Sequence, residues 1–596
     1  MALFKKQSFL LFLVITLSLF FTPNSEPGRH NQHHPHYSHA PPPDRSIIIK
    51  PKFSSELLLS TISLPTTPRY SAATPGVGEW SLLQESVGVS AMHMQLLHNN
   101  KIVIFDRADF GSSNLSLPAG KCRFDPRAAK HDCTAHSLLY DVDSNTYRPL
   151  MVQTDVWCSS GAVNSLGTLV QTGGYHDGYK KIRTFTPCND DTCDWVELPL
   201  NLTVQRWYGS DHILPDDRVI VVGGRRAYSY EFFPNNDNRV FPFPLLKETT
   251  DPKEENNLYP FLHLLPDGNL FVFANRRSLL LDYKNDRIVR EYPEIPGEKR
   301  NYPATGSSVM LPLKLGNSSY PTVEILICGG ARGGAYLKAL RGRFMAASKS
   351  CGRIRVTDPE PVWVMEDMPL RRVMPDMLLL PTGDVIIVNG AARGSAGWEC
   401  GDEPVLSPVM YYPDEPDPAK RFSALSPSTK PRMYHSAAIL LPDGRILVGG
   451  SNPHVKYNFT AEKYPTDLSL EAYSPPYLGT EYAHLRPSIL SIDGTEDNAV
   501  AYGQQFTISF SLGGFQLVPG EYLVTMVAPS FTTHSFAMNQ RLLVLYVSAE
   551  QQIAPFAYKV TVNAPPTANI APPGYYMLFV VHQGVPCHSV WIKLHI

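Results

Sequence analysis

The chain has 596 residues, 53 Lys and Arg against 55 Asp and Glu, a formal net charge of -2, and 43% hydrophobic and 18% charged residues. That balance excludes the simplest nucleic-acid-binding and coiled-coil classes, and the length calls for two or three domains. With 53 Pro and 40 Gly and few long apolar periods of helical type, the composition favours short strands joined by turns, an all-β chain.

At the N-terminus, Lys5 and Lys6 precede an almost uncharged apolar run from Ser8 to Phe21. Its length suits a signal peptide, assigned to residues 1–24, better than a membrane anchor. No other stretch approaches spanning length, so stable membrane insertion is not expected. Residues 25–75 form a His- and Pro-rich leader and linker. His30, His33, His34, His36 and His39 lie there among prolines, a composition too poor in apolar surface to order itself and able to hold a metal only weakly. Sequons at Asn114, Asn201, Asn317 and Asn458 are compatible with a secretory route.

From residue 76 to 484 one segment recurs: a turn, a β-branched or aliphatic run, then often Gly-Gly. The copies begin at Leu97, Ser165, Leu214, Leu265, Pro321, Leu380 and Leu441. Starts roughly 50 to 70 residues apart match a four-stranded kelch-type blade, and seven blades form a β-propeller. Asp-Gly turns would reverse the chain into an inner strand, and Gly-Gly would permit close approach near the axis. Gly329-Gly330-Ala331-Arg332-Gly333-Gly334 ends one such strand and lacks the Gly-Lys-Ser/Thr of a phosphate loop. Arg371 and Arg372 are expected on a solvated face.

After Arg486-Pro487 the Gly-Gly signal stops. Phe506, Ile508, Phe510 and Leu512 alternate, and strand-like runs surround Tyr522, Leu543, Val560 and Met577. Residues 485–596 therefore read as an immunoglobulin-like sandwich.

Nine cysteines in an oxidising compartment should mostly pair. Cys122 with Cys133 and Cys188 with Cys193 are close enough for local bridges, while the partners of the later four are not deducible. An odd number leaves one over, and Cys158 is the natural remainder. Zinc is a poor alternative, because no second closely spaced Cys pair matches the loop containing Cys188 and Cys193.

Two repeats share a further correspondence. Arg206-Trp207-Tyr208-Gly209-Ser210 and Arg432-Met433-Tyr434-His435-Ser436 lie at matching distances before Gly-Gly, so Tyr208 and Tyr434 should hold equivalent places at one mouth of the channel. Tyr259 and Tyr302, each followed by Pro, sit just upstream of repeat strands and join them as candidate lining. Spacing alone is a weak guide to metal. With 29 Tyr and 19 His, about one Tyr-His dipeptide is expected by chance, and Tyr175-His176 is a second besides Tyr434-His435.

Taken together, RWYGS, RMYHSAAILLPDGRILVGGSNP, DVWCSSG around Cys158 and APSFTTHSFAMNQR in the terminal domain resemble the secreted copper radical oxidases, glyoxal oxidase and its galactose oxidase relatives. The resemblance spans nearly the whole mature chain. It implies a copper ion bound by Tyr208, Tyr434, His435 and His534, and a thioether joining Cys158 to Tyr208, a protein-derived radical cofactor that accounts for the unpaired cysteine. Two imidazoles and phenolate oxygens suit Cu(II), whereas calcium or magnesium would want carboxylates. Implied too is oxidation of a small aldehyde such as glyoxal or methylglyoxal to its acid, Tyr434 taking the substrate proton and O2 becoming hydrogen peroxide. Tyr208, Cys158 and Tyr434 are then the catalytic set. The aromatic that covers the crosslinked ring in galactose oxidase has no evident counterpart, since Trp157 and Trp207 only neighbour the site in sequence.

Rival readings are an oxidase of primary alcohols or galactosides and a non-catalytic, glycan-binding propeller of the cell wall. The absence of an evident carbohydrate-binding domain before the propeller favours aldehydes over galactose. Near-neutral charge gives no case for nucleic acid as partner; the expected setting is extracellular, with cell-wall association left open.

Overall fold

The computed structural model describes residues 77–595 apart from 119, 126–129, 236, 317–319, 515 and 518–519. The expected signal peptide, the His-rich leader and the Asn317 sequon lie outside the described residues.

The described chain is built almost wholly of antiparallel β-structure. Its first part runs through seven four-strand units, each starting on a buried strand and ending on a more exposed one. The buried first strands are His93–Leu96, Ser160–Val163, Gly209–Ile213, Phe261–Leu264, Gly306–Met310, Asp376–Leu379 and Ser436–Leu440. Each recurring segment seen in the sequence forms the second strand of its unit, for example Val219–Gly223 and Ile446–Gly450, one place further out than the innermost. The turns between first and second strands put Asn100, Gly167, Asp217, Gly268, Gly383 and Gly444 at positive φ, which Gly, Asn and Asp adopt most readily. The last unit is completed by Glu79–Gln84, which pairs antiparallel with Leu470–Ser474 and so ties the start of the described chain to its seventh repeat.

The Gly-Gly ends behave as expected. A Cβ on Gly450, at φ +71°, would stand 2.6 Å from the Ala91 nitrogen and 2.7 Å from the His435 carbonyl oxygen. Backbones from neighbouring units therefore meet where only glycine leaves room.

A second part, from Ser488 onward, holds a four-stranded sheet and most of a larger one. Phe506, Ile508, Phe510 and Leu512 are all buried, and the strand-like runs become Tyr522–Ala528, Arg541–Val544, Ala557–Asn563 and Gly574–His582. From this part a hairpin, Phe531–Thr533 and Phe536–Met538, enters the first. Its first strand pairs with His93–Leu96 and also packs on Ser160–Val163 and Ser436–Leu440. The second packs on the other four innermost strands, so this one hairpin touches all seven units.

Three disulfides are present among the described residues: the two expected local bridges and Cys328–Cys351. The expectation of a single free thiol is corrected, because Cys158, Cys400 and Cys587 are all free and buried. Arg372 corrects a second expectation. It is fully buried and donates to the carbonyl oxygens of Asn389, at 2.7 Å, and Ser407, whereas Arg371 is exposed. Arg206, Arg300, Arg372 and Arg432 recur just before innermost strands, each buried and donating to backbone carbonyls of its unit. They are internal clamps, with Arg206 and Arg432 also paired to buried Glu231 and Glu471. Asn114, Asn201 and Asn458 are exposed.

Candidate metal centre

The chain approaches several innermost strands through a residue at positive φ: Cys158 (51°), Tyr208 (65°), Tyr259 (50°) and His435 (61°). Such backbone costs energy for non-glycine residues and persists only where the surroundings hold it. Here it turns each side chain toward the tip of the central hairpin, where His534 and Ser535 also adopt positive φ, at 44° and 70°.

All five residues expected at the centre are buried and come together. Cys158 Sγ lies 3.1 Å from His534 Nε2, and the ligand atoms of Cys158, His435 and His534 lie within 4.8 Å of one another. Ring centroids stand 5.9 Å apart for Tyr208 and His534, 5.7 Å for Tyr434 and His534, and 5.2 Å for His435 and His534. The Tyr208 amide donates to the Cys158 carbonyl oxygen at 2.9 Å, which fastens two adjoining units at this point. Tyr434 packs on its neighbour His435, with centroids 3.9 Å apart.

Tyr259 and Tyr302 complete the lining. The Tyr259 hydroxyl donates to the Ser159 carbonyl oxygen at 3.0 Å, and its ring lies 5.1 Å from that of His534. The Tyr302 hydroxyl stands 2.8 Å from that of Tyr434 and 3.2 Å from that of Tyr208, and its ring stacks on Tyr208 at 4.6 Å and 28°. The spacing held a signal for this residue, since Arg300-Asn301-Tyr302 repeats the Arg-x-Tyr of 206–208 and 432–434.

Trp207 leans on Tyr208, 4.7 Å away and tilted by 38°. Trp157 meets Trp207 edge-on at 5.0 Å and stacks on Trp398 at 5.0 Å and 21°. The Arg107 guanidinium lies 4.1 Å from the Trp157 ring centre and 4.6 Å from that of Trp398, near enough for cation–π attraction. Sequence reasoning missed Trp398 and Arg107: Trp398 lies in a loop outside the repeated segments, and Arg107 stands at the end of the first one, just after the strand Lys101–Phe105, where the pattern gave it no role.

Burial dominates the electrostatics. It holds the Tyr208 and Tyr434 phenols and the Cys158 thiol well above their ordinary pKa values, and His435 and His534 well below theirs. The imidazoles are therefore neutral, as ligation requires. The Thr533 hydroxyl, 2.7 Å from His534 Nδ1, leaves Nε2 facing the centre. Both ring nitrogens of His435 are buried with no hydrogen-bond partner. Native proteins rarely leave such groups unsatisfied. A cation among two imidazoles, phenol oxygens and a thiol satisfies them, and the absence of a carboxylate from this set disfavours calcium or magnesium. The donor chemistry fits copper.

Residues 92–477 match the glyoxal oxidase N-terminus family, and residues 486–594 match the galactose oxidase-like early set domain. An aldehyde oxidase (GLOX) of Vitis pseudoreticulata is 45% identical over 521 residues, which cover 87% of this chain and 97% of that protein. Aldehyde oxidase GLOX1 of Arabidopsis thaliana is 44% identical over 526 residues, 87% of this chain and 84% of that protein. Among solved structures, a fungal alcohol oxidase of the AA5 family in complex with copper superposes with a TM-score of 0.67 at 21% identity, covering 87% of this chain and all of the other. That last likeness speaks for the fold.

Proposed function

Since this chain belongs to the glyoxal oxidase family of copper radical oxidases, we propose that it is a secreted oxidase converting small aldehydes of the glyoxal or methylglyoxal type to carboxylic acids. One aldehyde hydrate and one O2 become one acid and one hydrogen peroxide. The observation that carries this reading is His435, buried with both nitrogens unpartnered beside His534, Cys158 and two phenols.

Tyr208, Tyr434, His435 and His534 would hold the copper, and Cys158 would be joined by a thioether to Tyr208. Copper bound there would supply a one-electron redox partner. Tyr434 would accept the proton of the substrate hydroxyl, a role suited to a phenol oxygen held beside a cation. A sulfur joined to Tyr208 would make that ring easier to oxidise and suit it to hold the second oxidising equivalent. His534 reaches the centre from the terminal part of the chain, held by Thr533. The packed rings of Trp157, Trp207 and Trp398 shield this side of the centre from water, as a protein radical needs.

On the same reading the seven units close as a kelch-type propeller over 76–484, followed by an immunoglobulin-like domain over 485–596, with residues 1–24 removed on export and 25–75 as leader. Among the described residues no helix is long and apolar enough to cross a membrane. The site of action is extracellular, in the cell wall or its fluid.

The test is peroxide release by the purified, copper-loaded protein. Methylglyoxal and glyoxal should support turnover, galactose and simple primary alcohols much less. Faster turnover of alcohols would move the substrate class, and no peroxide from any of them would favour a glycan-binding propeller.

A further inference from the structure

Tyr302 stands between the two phenols to which the proposed chemistry gives different tasks. We propose that it is a positioning residue whose single hydroxyl proton is shared between Tyr208 and Tyr434 and sets the reduction potential of the Tyr208 pair. This rests on the functional reading above and adds a residue to it.

Three observations carry the inference. First, the Tyr302 hydroxyl lies 3.2 Å from Tyr208 and 2.8 Å from Tyr434, within hydrogen-bond reach of both. Second, its ring stacks on that of Tyr208 at 4.6 Å, so the two move together. Third, its backbone is fixed on both sides. The Asn301 side chain donates to the Tyr259 carbonyl oxygen at 2.9 Å and accepts from the Asn275 amide at 2.7 Å. The Pro303 carbonyl oxygen accepts from Ser395 Oγ at 2.7 Å and from the Ala396 amide at 2.9 Å. A hydroxyl so held is preorganised, and reorienting its proton requires no movement of the ring.

One proton cannot serve two oxygens at once. A hydrogen bond to a phenolate is stronger than one to a neutral oxygen, so the proton goes to whichever oxygen carries more negative charge. When the Tyr208 ring has given up an electron its oxygen is the poorer acceptor, and Tyr302 donates to Tyr434. When Tyr208 is reduced, Tyr302 can donate to it. The bond therefore favours the reduced ring and makes its radical a stronger oxidant.

The experiment compares the full-length, copper-loaded wild type with Tyr302→Phe, which keeps the stacked ring and removes the hydroxyl, and with Tyr302→Leu, which removes both. Copper content and the Cys158–Tyr208 crosslink are measured first, then the midpoint potential of the radical by redox titration of its visible absorption, then kcat and KM. Tyr302→Phe should keep copper and crosslink, ease oxidation of Tyr208 about tenfold, a potential lower by about 59 mV, and lower kcat with little change in KM. In Tyr302→Leu the radical should also decay faster. An unchanged potential in Tyr302→Phe overturns the inference, as does loss of its copper or crosslink, which would make the residue structural or a ligand. A wild type lacking copper and crosslink sinks the parent reading instead, so the two failures are distinguishable.

Discussion

Two kinds of buried histidine lie among the inner strands: His93, His212 and His263, each with a hydrogen-bond partner, and His435, with none at either nitrogen. Toward the terminal domain, His263 Nε2 lies 2.9 Å from Ser308 Oγ, and His212 Nδ1 lies 2.6 Å from the Ile213 carbonyl oxygen. His93 is placed between the Phe105 carbonyl oxygen and Ser159 Oγ, both at 3.3 Å. All three have their pKa lowered by burial to about 3. His435 is equally neutral and equally buried, but neither of its nitrogens has a partner. Burial and neutrality therefore do not set His435 apart from a core histidine; its lack of partners does, because a buried polar atom without a partner is costly unless something else binds it.

The largest expected effect is at His435. In His435→Ala, copper content measured after reconstitution should fall from one ion per chain to none. The loss of activity should exceed the roughly 10–100-fold caused by losing an outer partner of a metal ligand. Full copper occupancy in this variant would break the contrast, since the unpartnered histidine would then have no ligand role. Next comes Cys158→Ser, in which the metal should stay while the radical absorption and the thioether disappear. Turnover should drop on the order of a hundredfold or more, the scale on which removal of one stabilising group is read. A fully active variant would show that Cys158, although 3.1 Å from His534 Nε2, belongs with the passive core.

How much of this could be read from the chain alone differs by element. The turn-and-strand repeats were legible because Asn100, Asp217, Gly268 and Gly444 suit left-handed turns and the runs after them are apolar by local rule. Tyr208 and Tyr434 were legible because their Arg-x-Tyr pattern repeats, and the clamping arginines explain why it repeats. That clamp was misjudged at Arg372, because a sequence shows its charge and not the carbonyl oxygens of Asn389 and Ser407 that receive it. Cys328–Cys351 depends on register, the two residues facing each other on paired strands, and register lies beyond local pattern. The membership of His534 in the centre was available only by resemblance, since it rests on a hairpin crossing from one part of the fold into another.

A smaller effect tests the satisfied group. His263→Ala should leave copper content and radical absorption as in the wild type while lowering stability by about 2–4 kcal/mol, through the lost bond to Ser308 and the cavity left behind. Denaturant unfolding of the copper-free protein measures this without the contribution of the metal. Loss of copper without loss of stability would place His263 with His435 and erase the distinction.

The smallest effect concerns the residue before His212. Asp211 is fully buried and accepts hydrogen bonds from Ser160 Oγ and Thr172 Oγ1 at 2.8 and 2.9 Å, yet burial raises its pKa from 3.8 to about 7. The folded protein thus holds this proton more tightly than the unfolded chain does. The stabilisation is complete below about pH 4 and declines as pH rises toward 7. Asp211→Asn keeps the shape and carries no titrating proton, so its melting temperature should gain on the wild type across that interval, by a few degrees at most. The variant will keep part of the wild-type slope, because Asp106, Asp155 and Asp376 are buried with raised pKa values as well. Parallel melting curves from pH 4.5 to 7.5 would mean that Asp211 stays ionised in the fold. The inner strands would then hold a buried charge beside His212, and electrostatics rather than hydrogen-bond satisfaction would have to distinguish the two groups of histidines.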